Sequence, residues 1–378
     1  MIFLYALALI VGSQVLFSYS FFTQNEWYWL TLGGIQLTSF LLTFSLLIRY
    51  FRKRPKNNYK KGFYAFGAMI ASGVPALAFV IPGIYWIFTG NMIALYIGWS
   101  LSLALFIAIL FGIFVGRWNW KVHRVELRFP HLPDSMDGSK WLQISDVHVG
   151  SFFNQYHKVE KAIQKMNDLN ADYVVFTGDL VNNAAEELDG WEPVFSKIKA
   201  KKGKFSILGN HDYGDYVQWE NQTEKVTNLQ TLISKHEAIG FTPLLNQSVK
   251  IEDGFWLLGV ENWGIAPFRQ SGKLFETLAN VPENAFKLLL SHDPSHFDEQ
   301  VLQTDIDLTL SGHTHGMQFG IERFGIKWSP VSFRYKKWAG LYTVGKQHLY
   351  VNRGFGYLGF PGRVGIYPEI TEIFFRKA

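Results

Sequence analysis

The chain has 378 residues, a net charge of +5 and no cysteine, which excludes disulfides, iron–sulfur clusters and thiolate metal sites. Hydrophobic residues make up 48% and charged residues 18%, whereas an average globular protein is about 25% charged. This composition also excludes a disordered or collagen-like chain.

The first 116 residues alternate between long apolar runs and one basic cluster. Residues 62–116 contain no Asp, Glu, Lys or Arg, and a membrane-spanning helix needs roughly 20 apolar residues. Pro75 and Pro82 interrupt one run but are tolerated in a helix bundle. A signal peptide over 1–22 is the alternative, although no basic residue precedes that run. We predict four transmembrane helices, at about 3–22, 28–48, 64–87 and 92–116.

Basic residues set the expected orientation of these helices. Residues 49–61 hold seven Lys and Arg residues, and the loops near 23–27 and 90 hold none. Cytoplasmic loops carry the excess of Lys and Arg, so four spans place this cluster and Arg117–Arg124 in the cytoplasm. We expect a multi-pass protein of the plasma (inner) membrane whose C-terminal domain faces the cytoplasm. The positive charge therefore belongs to the membrane region, and no nucleic-acid partner is expected.

The rest of the chain predicts one α/β domain. Residues 117–138 indicate a linker and a leading strand, and residues 139–378 alternate short apolar runs with amphipathic stretches. Further strands are expected within 340–375. The predicted strands are Trp141–Ser145, Tyr173–Thr177, Phe205–Leu208, Trp256–Val260, Lys287–Leu290 and Leu308–Leu310. The predicted helices lie near 156–168, 216–239, 272–280 and 295–301.

Five of these strands deliver Asp, Asn or His residues at their carboxyl ends, within three residues of the strand. In open α/β sheets, ligands bind at the carboxyl ends of strands. Oxygen and imidazole donors without thiolate suit Mn, Fe, Zn, Ni or Co, and two ions about 3.5–4 Å apart are the usual clamp for phosphoryl transfer. The strings are Asp146-Val147-His148, Gly178-Asp179, Gly209-Asn210-His211-Asp212, Ser291-His292-Asp293 and Gly312-His313-Thr314-His315-Gly316.

The order of these strings resembles the calcineurin-like metallophosphoesterase superfamily over residues 146–316. The resemblance implies a four-layer αββα sandwich with two divalent ions, Mn²⁺ foremost, and in-line attack of hydroxide on phosphorus. His211 would act beside the scissile phosphate and Asp212 would orient it, with turn capping as the alternative for Asp212. The implied ligands are Asp146, His148 and His315 for one ion, Asn210, His292 and His313 for the other, and Asp179 as the bridge.

The membrane region points to the membrane-attached branch of that superfamily, which includes enzymes similar to UDP-2,3-diacylglucosamine pyrophosphatase and transmembrane proteins with a metallophosphoesterase domain. Residues 352–370 resemble this branch as well. Met317 departs from it, because relatives often have a second glycine there. Arg353 and Arg363 are candidates for clamping a substrate phosphate, with solvated loop residues as the alternative.

The segment 319–338 mixes aromatic and basic residues directly after the ligand strings. It suits a membrane interface or a lipid headgroup, with a β-hairpin covering the core as the alternative. The first interpretation places Trp328, Phe333 and Trp338 at the interface.

We therefore expect a membrane-bound phosphoesterase or pyrophosphatase with a lipid-linked substrate such as UDP-diacylglucosamine, and a lipid bilayer as partner. A soluble nucleotide or phosphomonoester is the alternative substrate. A metal-binding scaffold would have lost ligands, which are all present here. A transporter would carry charged residues in its spans, and these spans have none.

Overall fold

The computed structural model of the protein describes residues 2–24, 26–53 and 59–378. These residues divide into two compact units. The helical unit contains the described residues up to Gly116 together with Gly359–Val364, and the sandwich unit contains Arg117–Leu358 and Gly365–Ala378. Arg54 and Lys56 of the predicted basic loop lie outside the described residues.

The helical unit confirms an N-terminal transmembrane region. Three stretches, Trp27–Arg49, Lys60–Thr89 and Met92–Trp118, are long and apolar enough to cross a membrane, and Leu9–Phe22 is a shorter apolar helix. Four spans were predicted, and the described residues contain three helices long enough to span a membrane and a fourth apolar helix that is shorter. The helices are α1 (Ile2–Phe22), α2 (Trp27–Lys53), α3 (Tyr59–Gly73), α4 (Pro75–Thr89) and α5 (Met92–Phe114).

The predicted third helix is divided at Val74, because Pro75 has no N–H to continue the hydrogen-bond ladder. The amide of Leu77 donates to Val74 O at 3.0 Å, so the carbonyl of Gly73 has to find another donor. The buried side-chain amide of Gln14 supplies it at 2.8 Å. A backbone acceptor in a membrane must be satisfied within the protein, so Gln14 stabilises the break.

A short segment near the C-terminus also belongs to the helical unit. The backbone N–H of Arg363 donates to Gly112 O at 3.1 Å. A Cβ atom on Gly116 would lie 2.2 Å from Arg363 O, so only glycine permits this approach at the end of the last helix. Residues 359–364 are thus part of the helical packing, which the sequence did not indicate.

The sandwich unit contains two six-stranded sheets and a separate hairpin. The first sheet has the order β1 (Lys121–Phe129), β14 (Glu369–Lys377), β2 (Lys140–Ile144), β3 (Tyr173–Thr177), β4 (Gly203–Ile207) and β5 (Thr242–Pro243). The second has the order β12 (Gly340–Val344), β13 (Gln347–Val351), β9 (Leu308–Ser311), β8 (Phe286–Leu290), β7 (Phe255–Gly259) and β6 (Gln247–Glu252). The hairpin is β10 (Ile321–Arg323) with β11 (Ile326–Trp328). The helices are α6 (Tyr156–Asp168), α7 (Glu192–Phe195), α8 (Gln222–Ala238), α9 (Leu274–Leu278) and α10 (Ser295–Glu299).

Parallel pairing brings the predicted ligand loops together. Strands β2, β3 and β4 are parallel neighbours, as are β7, β8 and β9. Side chains from both sheets, including Trp141, Val175, Leu257 and Leu288, form one buried core. Strands covered on both faces read as continuous apolar runs, which explains why the sequence revealed them. The predicted α/β class is confirmed, and the leading strand is β1, paired parallel with β14.

Candidate metal centre

The seven predicted ligand residues follow the carboxyl ends of five strands. Strands β2, β3 and β4 deliver four of them from the first sheet, and β8 and β9 deliver three from the second. Six are buried and His313 is partly buried. Each sheet therefore supplies part of one cluster, whose members are Asp146, His148, Asp179, Asn210, His292, His313 and His315.

Five of the seven ligand residues adopt a left-handed backbone conformation. Their φ angles are 53° at Asp146, 47° at His148, 62° at Asp179, 70° at His313 and 51° at His315. Only a few per cent of non-glycine residues do so, at a cost of about 1–3 kcal/mol each. Such strain persists where the surroundings over-determine it, and it clusters at functional sites.

The first donor group contains Asp146, His148 and His315, whose ligand atoms lie within 4.8 Å of one another. Nε2 of His148 is 3.0 Å from Nε2 of His315, and the latter is 3.3 Å from Asp146 Oδ1. The second group contains Asp179, His292 and His313. Asn210 joins it, because its Oδ1 lies 2.8 Å from Nδ1 of His313.

Asp179 lies between the two groups. Its Oδ2 is 3.5 Å from Nε2 of His148 in the first group and 3.2 Å from Nε2 of His292 in the second. Its Oδ1 accepts the backbone N–H of His211 at 2.8 Å, which fixes the carboxylate. This position suits a carboxylate that bridges two ions.

Backbone carbonyls bind the outer ring nitrogens of two ligand histidines, so the inner ring nitrogens point toward the cluster. Nδ1 of His292 faces Thr177 O at 2.7 Å, and Nδ1 of His148 faces Val181 O at 3.2 Å. A ring nitrogen that donates to a carbonyl leaves the other as the acceptor in a neutral imidazole. Nε2 of His292 is buried without a hydrogen-bond partner among the described residues. It lies 3.2 Å from Asp179 Oδ2, and either a proton on this nitrogen or a metal ion stabilises that arrangement.

The second group shows the same convergence at Asn210. Its side-chain amide donates to Tyr216 Oη at 2.7 Å, which turns Oδ1 toward Nδ1 of His313. Tyr335 Oη donates to Asp293 at 3.2 Å and so accepts from Nε2 of His313 at 2.9 Å. Asn210 Oδ1 and Nδ1 of His313 are then two acceptors that lie 2.8 Å apart. Nitrogen and oxygen donors arranged in this way fit divalent transition metals.

The protonation states agree with this interpretation. Burial lowers the pKa of His148 to about 3 and that of His313 to about 4, so both are neutral, as metal ligands must be. Burial acts in the same direction on His292, but the adjacent Asp179 carboxylate outweighs it and raises the pKa of His292 to about 10. A positive charge between these two groups is therefore favoured, and either a proton on His292 or a metal ion can supply it.

The structure places His211 beside the cluster. Asp212 does not orient His211, as was expected, but binds backbone amides. Nδ1 of His211 lies 2.7 Å from Asn182 O, so this carbonyl orients the ring. The Asp212 carboxylate accepts four backbone N–H groups, at 2.8–3.2 Å. Asp212 thus organises the turns after β3 and β4, the capping alternative. Its four donors are the amides of Asp179, Leu180, Val181 and Gly209.

The two predicted substrate arginines do not lie among the ligand residues. Arg353 is buried and pairs with Glu322 and Glu369, and Arg363 is fully buried in the helical unit. Neither enters the function proposed below. Met317 has a φ of 49°, a left-handed conformation that glycine adopts without strain.

Sequence reasoning missed three residues that position the ligands. Asp293 directly follows His292 in the same string, so its role could have been predicted from the sequence. Tyr335 had no local signal, because its partners His313 and Asp293 follow other strands. Tyr216 lies only six residues from its partner Asn210, but no motif marked it.

Comparisons with known proteins agree with this geometry. Residues 139–317 match the family described as "Calcineurin-like phosphoesterase". "Uncharacterized metallophosphoesterase YkuE" of Bacillus subtilis is 33% identical over 248 residues, 64% of this chain and 80% of that protein. The chain therefore belongs to the calcineurin-like metallophosphoesterase family.

Two relatives carry a membrane region in their description. "Transmembrane protein with metallophosphoesterase domain" of Danio rerio is 30% identical and that of Bos taurus 29%, each over 68% of this chain. The alignments span 58% and 57% of those proteins, less than two thirds of their length. With the apolar helices, these relatives indicate a membrane protein.

Replacing Asp179 with Asn should remove both ions, because the substitution removes the one negative charge that both groups share. We expect hydrolysis to fall by about 10²-fold or more, whereas His148→Ala should weaken mainly one site. Metal analysis of the purified proteins measures this. Asp253→Asn, at an exposed turn, is the matched control. Two ions retained by the Asp179 variant would show that this residue is not the bridge.

Proposed function

We propose that the protein is a membrane-bound hydrolase that cleaves a phosphoester or pyrophosphate bond at a two-metal site. The observation that carries this proposal is the pair of buried donor groups on either side of Asp179. When bound, two divalent ions neutralise phosphoryl charge and activate water as the nucleophile. We infer Mn²⁺ as the ion, with Fe, Zn, Ni or Co as alternatives of the same donor preference.

The charge of the ligand set suits an anionic substrate. Asp146 and Asp179 are its only carboxylates, and the other five ligands are neutral imidazoles or an amide. Two divalent ions therefore leave the centre with an excess of positive charge. A phosphate or pyrophosphate group meets that charge.

His211 is the residue we assign to the leaving group. With Nδ1 held by the Asn182 carbonyl, Nε2 is the nitrogen left to face a substrate. It transfers a proton to the departing oxygen or stabilises its negative charge. Burial lowers the pKa of His211, whereas the Asp179 carboxylate and the Asn182 carbonyl act in the opposite direction.

A lipid-linked substrate, such as UDP-diacylglucosamine, is the finer part of the proposal. Two features support it: the apolar helices of the same chain and the aromatic and basic segment that follows His315. A soluble nucleotide or phosphomonoester is the second candidate, because the metal ligands fix the reaction and not the substrate.

Assays of the full-length protein with added Mn²⁺ test the proposal. We expect the highest kcat/KM with a lipid-linked pyrophosphate, and lower values with phosphodiesters and phosphomonoesters. The Asp179→Asn variant measures any contaminating activity. No hydrolysis of any substrate by protein with two bound ions would exclude a hydrolase. A preference for soluble phosphomonoesters would contradict the lipid-linked substrate alone.

His211→Ala should keep both ions and lower kcat by about 10²–10⁴-fold, the usual contribution of an acid–base group. The loss should be smaller for nitrophenyl esters, whose leaving group needs no proton. Comparing ester series of rising leaving-group pKa measures this difference. Equal losses along the series would argue against proton transfer by His211.

We further infer that the protein lies in the plasma membrane with its sandwich unit in the cytoplasm, because the basic residues of 49–61 and 117–124 share one side when there are four spans. A green fluorescent protein and an alkaline phosphatase, each fused after Ala378, test this orientation. We expect fluorescence and no phosphatase activity. The reverse pattern would mean that the number of spans is odd.

A further inference from the structure

The hairpin β10–β11 has two faces of different character. Ile321 pairs with Trp328 and Arg323 pairs with Ile326, whereas Glu322 pairs with Lys327 between them. Since side chains alternate between the faces of a strand, the first two pairs share one face. The third pair lies on the other.

The face with Glu322 and Lys327 is anchored to the sandwich unit. Glu322 accepts two hydrogen bonds from Arg353, at 2.7 Å each, and Arg353 also binds the buried Glu369 at 2.6 Å. Lys327 donates to Ala339 O. These contacts hold the hairpin and fix which face points away.

The opposite face presents apolar side chains to the surroundings. Ile321, Ile326 and Trp328 are 41–54% exposed, and Phe324 at the turn is 96% exposed. Phe333, after β11, is 82% exposed. Isolated exposed apolar residues are ordinary, but a contiguous group marks a binding surface. We name the four hairpin residues Ile321, Phe324, Ile326 and Trp328 the hairpin surface.

The charges around the hairpin surface are positive. Residues 319–338 contain five basic residues and one acid, and that acid is Glu322, which is paired on the anchored face. Arg323, Arg334 and Lys336 are exposed. Aromatic and aliphatic side chains with basic neighbours match an anionic phospholipid surface. A second copy of this chain would bring like charges together, which disfavours it as the occupant.

The same chain carries helices that are long and apolar enough to cross a bilayer. Only residues 115–120 separate α5 from β1, and extended chain spans at most about 3.6 Å per residue. We propose that the hairpin surface inserts into the interfacial layer of an anionic phospholipid bilayer. Trp338, expected at the interface from the sequence, is only 3% exposed. It packs in the interior, and Phe324 is the residue in the outermost position.

The anchored base of the hairpin connects this surface to the ligand loop. Ser329 Oγ donates to Gly316 O at 2.7 Å, and Thr314 Oγ1 donates to Trp338 O at 2.7 Å. Both bonds flank His315. Insertion would therefore present the metal centre to phosphate groups at the membrane surface. This consequence rests on the proposed function, whereas insertion itself can be tested without it.

The absence of cysteine permits a direct test with the full-length protein. Phe324→Cys carries an environment-sensitive fluorophore in nanodiscs with one copy each, made of phosphatidylcholine and phosphatidylglycerol. Lipids with a nitroxide near the headgroup end of the acyl chain act as quencher. The control is Asp253→Cys, on the β6–β7 turn, where the side chain is 97% exposed.

We expect a shift to shorter wavelength and about twofold quenching at position 324, with neither at 253. Equal behaviour of the two positions would overturn the proposal. A wavelength shift without quenching would also overturn it, because protein would then cover the residue. Discs of phosphatidylcholine alone should reduce the quenching, and unchanged quenching there would contradict the role of the basic residues.

Hydrolysis of a soluble nitrophenyl ester by the same labelled proteins separates this proposal from the proposed function. Quenching with no hydrolysis in any variant would mean that only the enzymatic assignment fails. Hydrolysis without quenching would mean that only the membrane docking fails.

Discussion

The metal centre depends on buried nitrogen and oxygen atoms that converge on both sides of Asp179. Thr177 O, Val181 O and Tyr335 Oη each occupy the outer nitrogen of an imidazole. The inner nitrogens are left to converge with carboxylate and amide oxygens. Unpaired buried acceptors are costly, and a cation removes that cost for all of them at once. Metal binding and the stability of this region are therefore linked.

The two-sheet architecture explains how these groups meet. Each sheet ends its parallel strands at the same edge, so ligands far apart in sequence arrive at one place without long loops. Asp146 and His313 illustrate this, because the carboxylate of the first accepts the backbone N–H of the second at 3.0 Å across the two sheets. The left-handed backbone at five ligands is the local cost of aiming short side chains inward from the ends of strands.

Residues whose role follows from a local string were predictable from the sequence. Buried parallel strands are continuous apolar runs, so the polar residues that end them stood out, and the two donor groups contain the expected residues. Arg353 was not predictable in this way, because its partners Glu322 and Glu369 lie on separate strands. The predicted role of Asp212 in orienting His211 was wrong for a related reason. Its carboxylate binds backbone amides, which nearly every residue offers and which no sequence motif marks. Pro75 signalled the division of the helix at Val74. Nothing in the sequence signalled that Gln14 binds the freed carbonyl of Gly73.

Arg353 connects the hairpin surface to the metal centre through buried contacts. Its guanidinium holds Glu322 of β10, and the neighbouring backbone amide of Phe355 donates to Ser145 O, next to Asp146. A buried ion pair is weak evidence for stability, but it does fix the geometry of the groups it joins. The pairing of Arg353 with two carboxylates accounts for a guanidinium that is buried in the sandwich unit. Through Glu322 on one side and the Phe355 backbone on the other, the segment around Arg353 joins the hairpin to the strand end that carries Asp146.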